Sequence, residues 1–177
     1  MCAHGAGGHK DDRGMLALAQ ALGGAGFDVV RFNFPYRERG SKVPDPMPAL
    51  KESIAAEVAH VRDKRKLIIG GRSMGGRAAS MLAAEGFECD GLLLLAYPLH
   101  PAGKPEKLRD AHLPNIRVPV LCINGTRDAL CRRDLMETTL QKLSWRMHWL
   151  EGATHTFRPR DYPEIAEVSR DWLSRLA

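Results

Sequence analysis

The sequence predicts an α/β fold, in which helices cover both faces of a mostly parallel β-sheet. Short apolar runs alternate with segments whose apolar residues recur at helical spacing. Several of the runs, such as residues 91–96 and 119–124, are apolar throughout, as in strands that are buried on both faces. The chain has 177 residues, 44% of them hydrophobic and 27% charged, so we expect residues 1–177 to form one domain with a substantial core.

The predicted helices and strands follow one another along the whole chain. A helical pattern over 11–25 precedes a strand over 27–34, and a proline-rich loop leads to a helix with Leu50, Ile54 and Val58 on one face. The remaining predicted elements are a strand that begins at Leu67, a helix over 77–85, strands over 91–96 and 119–124, a helix over 135–143, a strand over 146–151 and a helix over 165–176.

A glycine-rich turn with one serine joins the strand at Leu67 to the following helix. Gly71-Arg72-Ser73-Met74-Gly75 fits the G-x-S-x-G pattern of a nucleophile elbow, a sharp turn in which a serine hydroxyl stands clear of the backbone and can attack a carbonyl. The glycines let strand and helix approach closely, and the Met74 N–H at the helix start could hold a developing oxyanion. The alternative is an ordinary tight turn. A nucleotide site is disfavoured, because neither G-x-G-x-x-G spacing nor GK[ST] occurs.

An acid and a histidine follow two later strands. Asp128 ends a short turn after the strand over 119–124, and His155 follows the strand over 146–151. The carboxyl ends of parallel strands meet at one edge of the sheet, and Ser, acid, His is the chain order expected of a hydrolase with a G-x-S-x-G turn. We therefore expect Ser73 to be the nucleophile, His155 the proton carrier and Asp128 the residue that orients His155.

Other acids and histidines are less well placed for this role. Asp134 lies inside a predicted helix, Asp90 precedes a strand at the opposite edge of the sheet, and His148 lies within a strand. The loop that begins at His4, with the sequence HGAGG, fits the second half of an oxyanion hole, with the N–H of Ala6 as donor. A plain glycine loop is the alternative, and we expect His4 itself to be structural.

Composition excludes several function classes. The net charge is +5, but the dense basic run over 62–66 precedes a strand, at the edge opposite the elbow, and few aromatic residues could stack on bases. We therefore expect no nucleic-acid partner. The four cysteines lack C-x-x-C spacing, which predicts free thiols and no metal site. No membrane span or signal peptide is recognisable, so we expect a cytoplasmic protein with no membrane partner.

Taken together, these motifs resemble the α/β-hydrolase superfamily in its dienelactone-hydrolase-like branch. More narrowly, the chain is similar to the bacterial hydrolases grouped with the testis-expressed and non-specific-lethal-complex-subunit proteins. The resemblance implies a cofactor-free serine hydrolase; Ser73 departs from the cysteine nucleophile of dienelactone hydrolases and favours an esterase-type activity. The motifs that carry the resemblance are HGAGG at His4, RFNFPYRERG at Arg31, GGRSMGGR at Gly70, YPLHPAGKPEKLRDAHL at Tyr97, NGTRDAL at Asn124 and LEGATHTF at Leu150.

A long proline-rich loop over 97–113 follows a central strand, and we expect it to lie over the mouth of the pocket. Cationic side chains in this loop and after the strand over 27–34 could ring the mouth and attract an anionic ester. A solvated surface loop is the alternative. The cations with this predicted substrate-binding role are Arg37, Arg39, Lys104, Lys107 and Arg109.

The first residues carry a further expectation. In this fold the His-Gly loop follows a central strand, but Met1, Cys2 and Ala3 alone precede His4, fewer than the roughly five residues of an ordinary strand. The sequence thus predicts truncated or missing N-terminal strands and an exposed sheet edge that could pair with a second copy. A misassigned start codon is the alternative. The predicted function is a serine hydrolase of esters or related acyl substrates; the alternative is a non-catalytic interaction domain, because relatives include assembly proteins.

Overall fold

The computed structural model describes residues 1–176, and within them six strands form one sheet. Every neighbouring pair of strands is parallel, so the predicted α/β fold with a parallel sheet is confirmed. The strands are β1 (Cys2–Ala3), β2 (Arg31–Phe32), β3 (Ile68–Arg72), β4 (Gly91–Leu95), β5 (Val120–Gly125) and β6 (Arg146–Leu150), and they lie side by side in the order β2-β1-β3-β4-β5-β6.

Helices cover both faces of the sheet. On one face, Met15, Leu18 and Leu22 pack with Ile165 and Trp172, which brings the first and last helices together. The other face is covered by the three longer helices between them, whose buried side chains share a second core cluster. The helices are α1 (Arg13–Gly24), α2 (Pro35–Glu38), α3 (Met47–Val61), α4 (Met74–Ala84), α5 (Arg133–Leu140) and α6 (Tyr162–Ser174).

The two strands nearest the N-terminus are short. β1 has two residues and lies between β2 and β3, as the sequence predicted for the strand before the His-Gly loop. The strand predicted over 27–34 is wrong in length: only Arg31 and Phe32 pair, opposite Cys2 and Ala3. The physical reason is that β2 can form ladder hydrogen bonds only where β1 offers a partner.

Helix α4 begins close to β1, and glycine makes this approach possible. A Cβ built on Gly75 would lie 2.6 Å from the carbonyl oxygens of both Ala3 and His4. A Cβ on Gly71 would lie 2.2 Å from the Ala3 oxygen. Because Gly71 and Gly75 have no Cβ, the turn at Ser73 can lie close to the segment that leads into the His4 loop.

Three further observations concern the chain outside this edge of the sheet. The basic run over 62–66 is exposed, between α3 and the amino end of β3. All four cysteines are free thiols, with Cys2, Cys122 and Cys131 buried. Within residues 1–176, no helix is long and apolar enough to cross a membrane, and no group of three potential metal ligands occurs.

Candidate active site

Ser73 occupies the turn between β3 and α4. Its backbone has φ 51° and ψ −118°, a conformation that L-residues with a side chain rarely adopt. Two hydrogen bonds fix it, because the Ser73 N–H donates to the Leu95 oxygen at 2.8 Å and the Arg77 N–H donates to the Ser73 oxygen at 3.0 Å. A strained residue that its surroundings hold in place is typical of functional sites. This backbone conformation directs the Ser73 side chain away from the neighbouring backbone.

Ser73, His155 and Asp128 form one hydrogen-bonded chain. The Nε2 of His155 lies 2.8 Å from Ser73 Oγ, and its Nδ1 lies 2.8 Å from Asp128 Oδ2 and 3.0 Å from Oδ1. Because Nδ1 faces a carboxylate, which only accepts, the ring proton resides on Nδ1 and leaves Nε2 free to accept from the serine hydroxyl. The structure thus brings together the three residues predicted from three strand ends, in the geometry of a general base beside a nucleophile.

The carboxylate of Asp128 is buried and held from several sides. Its side chain is 0% exposed, whereas that of His155 is 25% exposed. Besides His155, Oδ1 accepts from the Leu130 N–H at 2.8 Å, and Oδ2 accepts from the side-chain amide of Asn124 at 3.2 Å. Hydrogen bonds to the charged form compensate for the loss of water around a buried carboxylate. Asp128 therefore presents a fixed anionic partner to the imidazole.

The role of Asn124 was not predicted from the sequence. It lies on β5, is fully buried, and also bonds to the backbone of Tyr97. An asparagine within an apolar strand is the sequence signal that could have drawn attention to it, because a buried amide needs hydrogen-bond partners. Asn124 connects the end of β4 to the acid of the site.

The loop over residues 4–8 lies directly beside Ser73. A Cβ built on Gly5 would lie 3.4 Å from the Cβ of Ser73. The Tyr36 hydroxyl donates to the Ala6 oxygen at 2.8 Å, which holds the Ala6–Gly7 peptide next to the predicted donor N–H. Met74 is the first residue of α4, and its N–H, like that of Ala6, makes no backbone hydrogen bond outside regular elements within residues 1–176. Both predicted oxyanion donors therefore remain available.

His4 holds this loop rather than facing substrate. It is fully buried, with Nδ1 2.8 Å from the Gly5 oxygen and Nε2 accepting from the Phe34 N–H at 3.2 Å. Burial lowers the pKa of His4 below its ordinary value, since the surroundings disfavour the charged form. A neutral ring with one donor and one acceptor matches these two contacts.

A cavity of about 470 Å³ opens beside the Ser73 hydroxyl. That size lies within the range of about 300–1,000 Å³ typical of small-molecule sites. Its walls are the glycine loop over 5–8, the start of α1 at Asp12 and Met15, Leu130 after β5, and the catalytic edge itself, formed by Arg72, Ser73, His155 and Thr156. The nucleophile and the imidazole are thus accessible from one cleft.

The predicted substrate-binding cations are not among the residues that line this cavity. Arg39 pairs with Asp45 at 2.7 Å, and Arg37 donates to the Ser41 oxygen at 3.1 Å. Arg109 points toward the Pro98 oxygen at 3.5 Å, and both Lys104 and Lys107 are exposed. Local partners or solvent hold these side chains, so the structure does not bring them together with Ser73.

The loop over 97–113 is also placed differently from the expectation. It contributes no residue to the lining of the Ser73 cavity, within the part of the chain that the structure describes. Its first four residues, 97–100, are buried against the core, and His100 accepts from the Arg132 N–H at 3.1 Å. The expected cover over the pocket mouth is therefore replaced by a loop that packs against the turn after β5. Among the residues that line the cavity, the arginine is Arg72. Arg72 occupies a variable position of the G-x-S-x-G pattern, and no substrate-binding role was predicted for it.

A parallel sheet with a strained serine turn after β3, and with an acid and a histidine after β5 and β6, defines an α/β hydrolase. In agreement, a family model described as an α/β hydrolase domain matches residues 1–170, and the chain belongs to that family. The narrower resemblance to the dienelactone-hydrolase-like branch stays a prediction.

Several solved structures share the fold. TT1662 from Thermus thermophilus is 25% identical with a TM-score of 0.76, and the match covers 99% of this chain and 87% of that one. An α/β serine hydrolase homologue from Coxiella burnetii is 21% identical with a TM-score of 0.75, over 97% and 85% of the two chains. A monoacylglycerol lipase from Paleococcus ferrophilus is 17% identical with a TM-score of 0.74, over 99% and 93%.

Proposed function

We propose that this protein is a serine hydrolase that cleaves carboxylic esters or related acyl substrates through an acyl-enzyme, without a cofactor. The observation that carries the proposal is the 2.8 Å contact between His155 Nε2 and Ser73 Oγ, with Asp128 on the other ring nitrogen. A hydroxyl that donates to a positioned imidazole is the arrangement that activates serine as a nucleophile. The open cavity beside it gives a substrate carbonyl access to Ser73.

In the first half of the reaction, Ser73 Oγ bonds to the substrate carbonyl carbon while His155 takes the hydroxyl proton. The carbonyl oxygen becomes an oxyanion, and the N–H groups of Met74 and Ala6 stabilise it. The bond to the alcohol oxygen then breaks, and His155 gives its proton to the departing alcohol. Asp128 keeps the ring oriented and stabilises the imidazolium, without itself being protonated.

In the second half, water replaces the alcohol. His155 takes a proton from the water as its oxygen attacks the acyl carbon, and a second oxyanion forms in the same hole. Collapse of this intermediate breaks the bond to Ser73, whose oxygen recovers a proton from His155. The products are a carboxylic acid and an alcohol, and the protein is unchanged.

The test combines covalent labelling with hydrolysis. A fluorophosphonate probe should label the wild-type protein, and p-nitrophenyl butyrate should be hydrolysed, whereas Ser73→Ala should lose both. The matched control is Ser53→Ala, because Ser53 lies on α3 and donates to the Ala49 oxygen away from the cavity. A folded wild-type protein that shows neither reaction would overturn the proposal. In that case the alternative, a non-catalytic interaction domain on the same fold, would take its place.

A further inference from the structure

Arg72 places a cation in the wall of the catalytic cavity. It is the last residue of β3 and directly precedes Ser73, and this half-buried residue lines the same cleft as Ser73 and His155. The remaining walls carry one acid, Asp12, and otherwise small, apolar or neutral polar groups. The charge that a bound substrate meets therefore depends on Arg72 and Asp12.

The hydrogen bonds of Arg72 leave most of its donors free. Nη2 donates to the Thr156 hydroxyl at 3.2 Å and to the His155 carbonyl oxygen at 3.4 Å, both of which are neutral acceptors. Within residues 1–176, no carboxylate lies within ion-pair distance of this guanidinium. A guanidinium has five N–H donors in a planar fork. Arg72 can therefore accept a further anionic partner without losing an existing ion pair.

Asp12 does not supply that partner. Its Oδ1 accepts from the Met15 N–H at 2.8 Å, as the N-cap of α1, and its Oδ2 accepts from the His9 N–H at 3.1 Å. Both carboxylate oxygens are thus already bound to backbone amides, which are the partners that an N-cap acid stabilises. The start of α1 also contributes the positive end of a helix dipole to this side of the cleft.

We propose that Arg72 is a specificity-determining residue that binds a carboxylate of the substrate, so that the preferred substrates are esters bearing a second, ionised carboxyl group. The inference rests on the proposed hydrolase function. A guanidinium binds a carboxylate through two parallel hydrogen bonds, which fixes orientation as well as charge. Met15 and Leu130 line the cavity beside this cation, and they suit the short apolar segment between the two carboxyl carbons.

The carboxylate could belong to the acid or to the alcohol portion of the ester, and two matched substrate pairs distinguish these sources. For the acid portion, mono-p-nitrophenyl succinate is compared with p-nitrophenyl butyrate, which has a methyl group in place of the carboxylate. For the alcohol portion, para-acetoxybenzoate is compared with the uncharged para-acetoxybenzamide. The ratio of kcat/KM within a pair, measured for wild type and variant, cancels the intrinsic reactivity of the substrates.

In one of the two pairs, Arg72→Gln should lower kcat/KM for the anionic member by about tenfold or more, mainly through KM, because a charge-assisted hydrogen bond is lost. The neutral member should change by less than about threefold. Arg72→Lys should recover part of the preference, since it keeps the charge but not the fork. The control Arg175→Gln makes the same charge change at the end of α6, where Arg175 pairs with Asp171.

Three results would overturn the proposal. An unchanged ratio in both pairs would show that Arg72 binds no substrate carboxylate. An equal loss for anionic and neutral members would show that Arg72 only positions His155 through its carbonyl oxygen. A larger loss of selectivity in Arg39→Gln than in Arg72→Gln would mean that the carboxylate binds to the cations outside the cavity. Each of these leaves Ser73-dependent hydrolysis intact, whereas an absence of hydrolysis and labelling would remove the proposed function itself.

Discussion

Asn124 and Tyr97 are joined by two hydrogen bonds in a closed ring. The Asn124 Oδ1 accepts from the Tyr97 N–H at 2.9 Å, and its Nδ2 donates to the Tyr97 oxygen at 3.1 Å. The same Nδ2 also donates to Asp128 Oδ2 at 3.2 Å. The buried side-chain amide of Asn124 therefore bonds to the backbone of Tyr97, just after β4. It also helps to orient Asp128, which contacts His155.

We expect Asn124→Ala to weaken both stability and activity. The substitution leaves the buried N–H of Tyr97 without a partner, while the Tyr97 oxygen keeps its bond from the Leu99 N–H at 3.1 Å. The unpaired N–H should lower the free energy of unfolding by about 1–3 kcal/mol. The Asp128 carboxylate also loses one of its donors, so kcat/KM should fall. Urea denaturation and ester hydrolysis measure the two effects. Asn115→Ala, at an exposed position, is the control, and an Asn124→Ala protein that matches it in both respects would refute this account.

The strained backbone at Ser73 predicts an unusual order of stabilities. Ser73→Gly should be more stable than Ser73→Ala by about 1–3 kcal/mol, because glycine adopts φ 51° without a Cβ penalty. At Ser53, in the middle of α3, the order should reverse, with glycine less stable than alanine by about 1 kcal/mol. Thermal and urea denaturation of the four variants check this. If alanine were more stable than glycine at both positions, the turn at Ser73 would carry no strain.

The contact between α4 and β1 should not tolerate a side chain at Gly75. In Gly75→Ala the new Cβ would meet two carbonyl oxygens at 2.6 Å, and backbone atoms cannot move aside as a flexible side chain can. We expect a loss of more than about 3 kcal/mol or a failure to fold. Gly23→Ala in α1, where a Cβ meets nothing within 4 Å, is the control. That variant should gain about 0.5–1 kcal/mol from helix propensity.

His112 should make the protein less stable in acid. Burial and the nearby positive charge of Arg77 lower the pKa of His112 from 6.5 to about 4, while Ser80 Oγ lies 2.8 Å from its Nε2. Between these two values the unfolded chain binds a proton that the folded protein excludes. The contribution of His112 is therefore complete above about pH 6.5 and is lost progressively toward about pH 4.

The pH dependence can be measured by urea denaturation of the wild type and of His112→Gln across that range. The wild type should lose stability more steeply than the variant as the pH falls from 6.5 toward about 4. His60→Gln, on the exposed side of α3, should retain the wild-type slope. Parallel curves for wild type and His112→Gln would show that His112 is protonated equally easily in the folded and unfolded states.

The sequence predicted the parts of the site that depend on chain order and strand ends. Ser73, Asp128 and His155 each follow a strand, and the carboxyl ends of parallel strands lie at one edge of the sheet. The directions of the cations predicted to bind substrate could not be derived in this way, because they depend on local partners such as Asp45 for Arg39. The length of β2 could not be predicted from its own residues either, because β1 provides two residues with which it can pair.

Asn124 and Tyr36 show a second limit of sequence reasoning. Each acts through a hydrogen bond to a residue far along the chain: Asn124 to Tyr97, and Tyr36 to Ala6. The apolar run over 119–124 predicts a buried position for Asn124, but it gives no partner for a polar atom.

The central place of β1 has a consequence for how the protein folds. Cys2 and Ala3 are synthesised well before their partners on β3, Gly70 and Gly71. Contacts of such sequence separation carry a large loop-closure cost and slow folding. The Ala6 loop can settle beside Ser73 only once β3 and α4 have been synthesised, and His155 arrives later still. The hydrogen-bonded chain of Ser73, His155 and Asp128 can therefore be complete only after β6 and the loop that follows it have been synthesised.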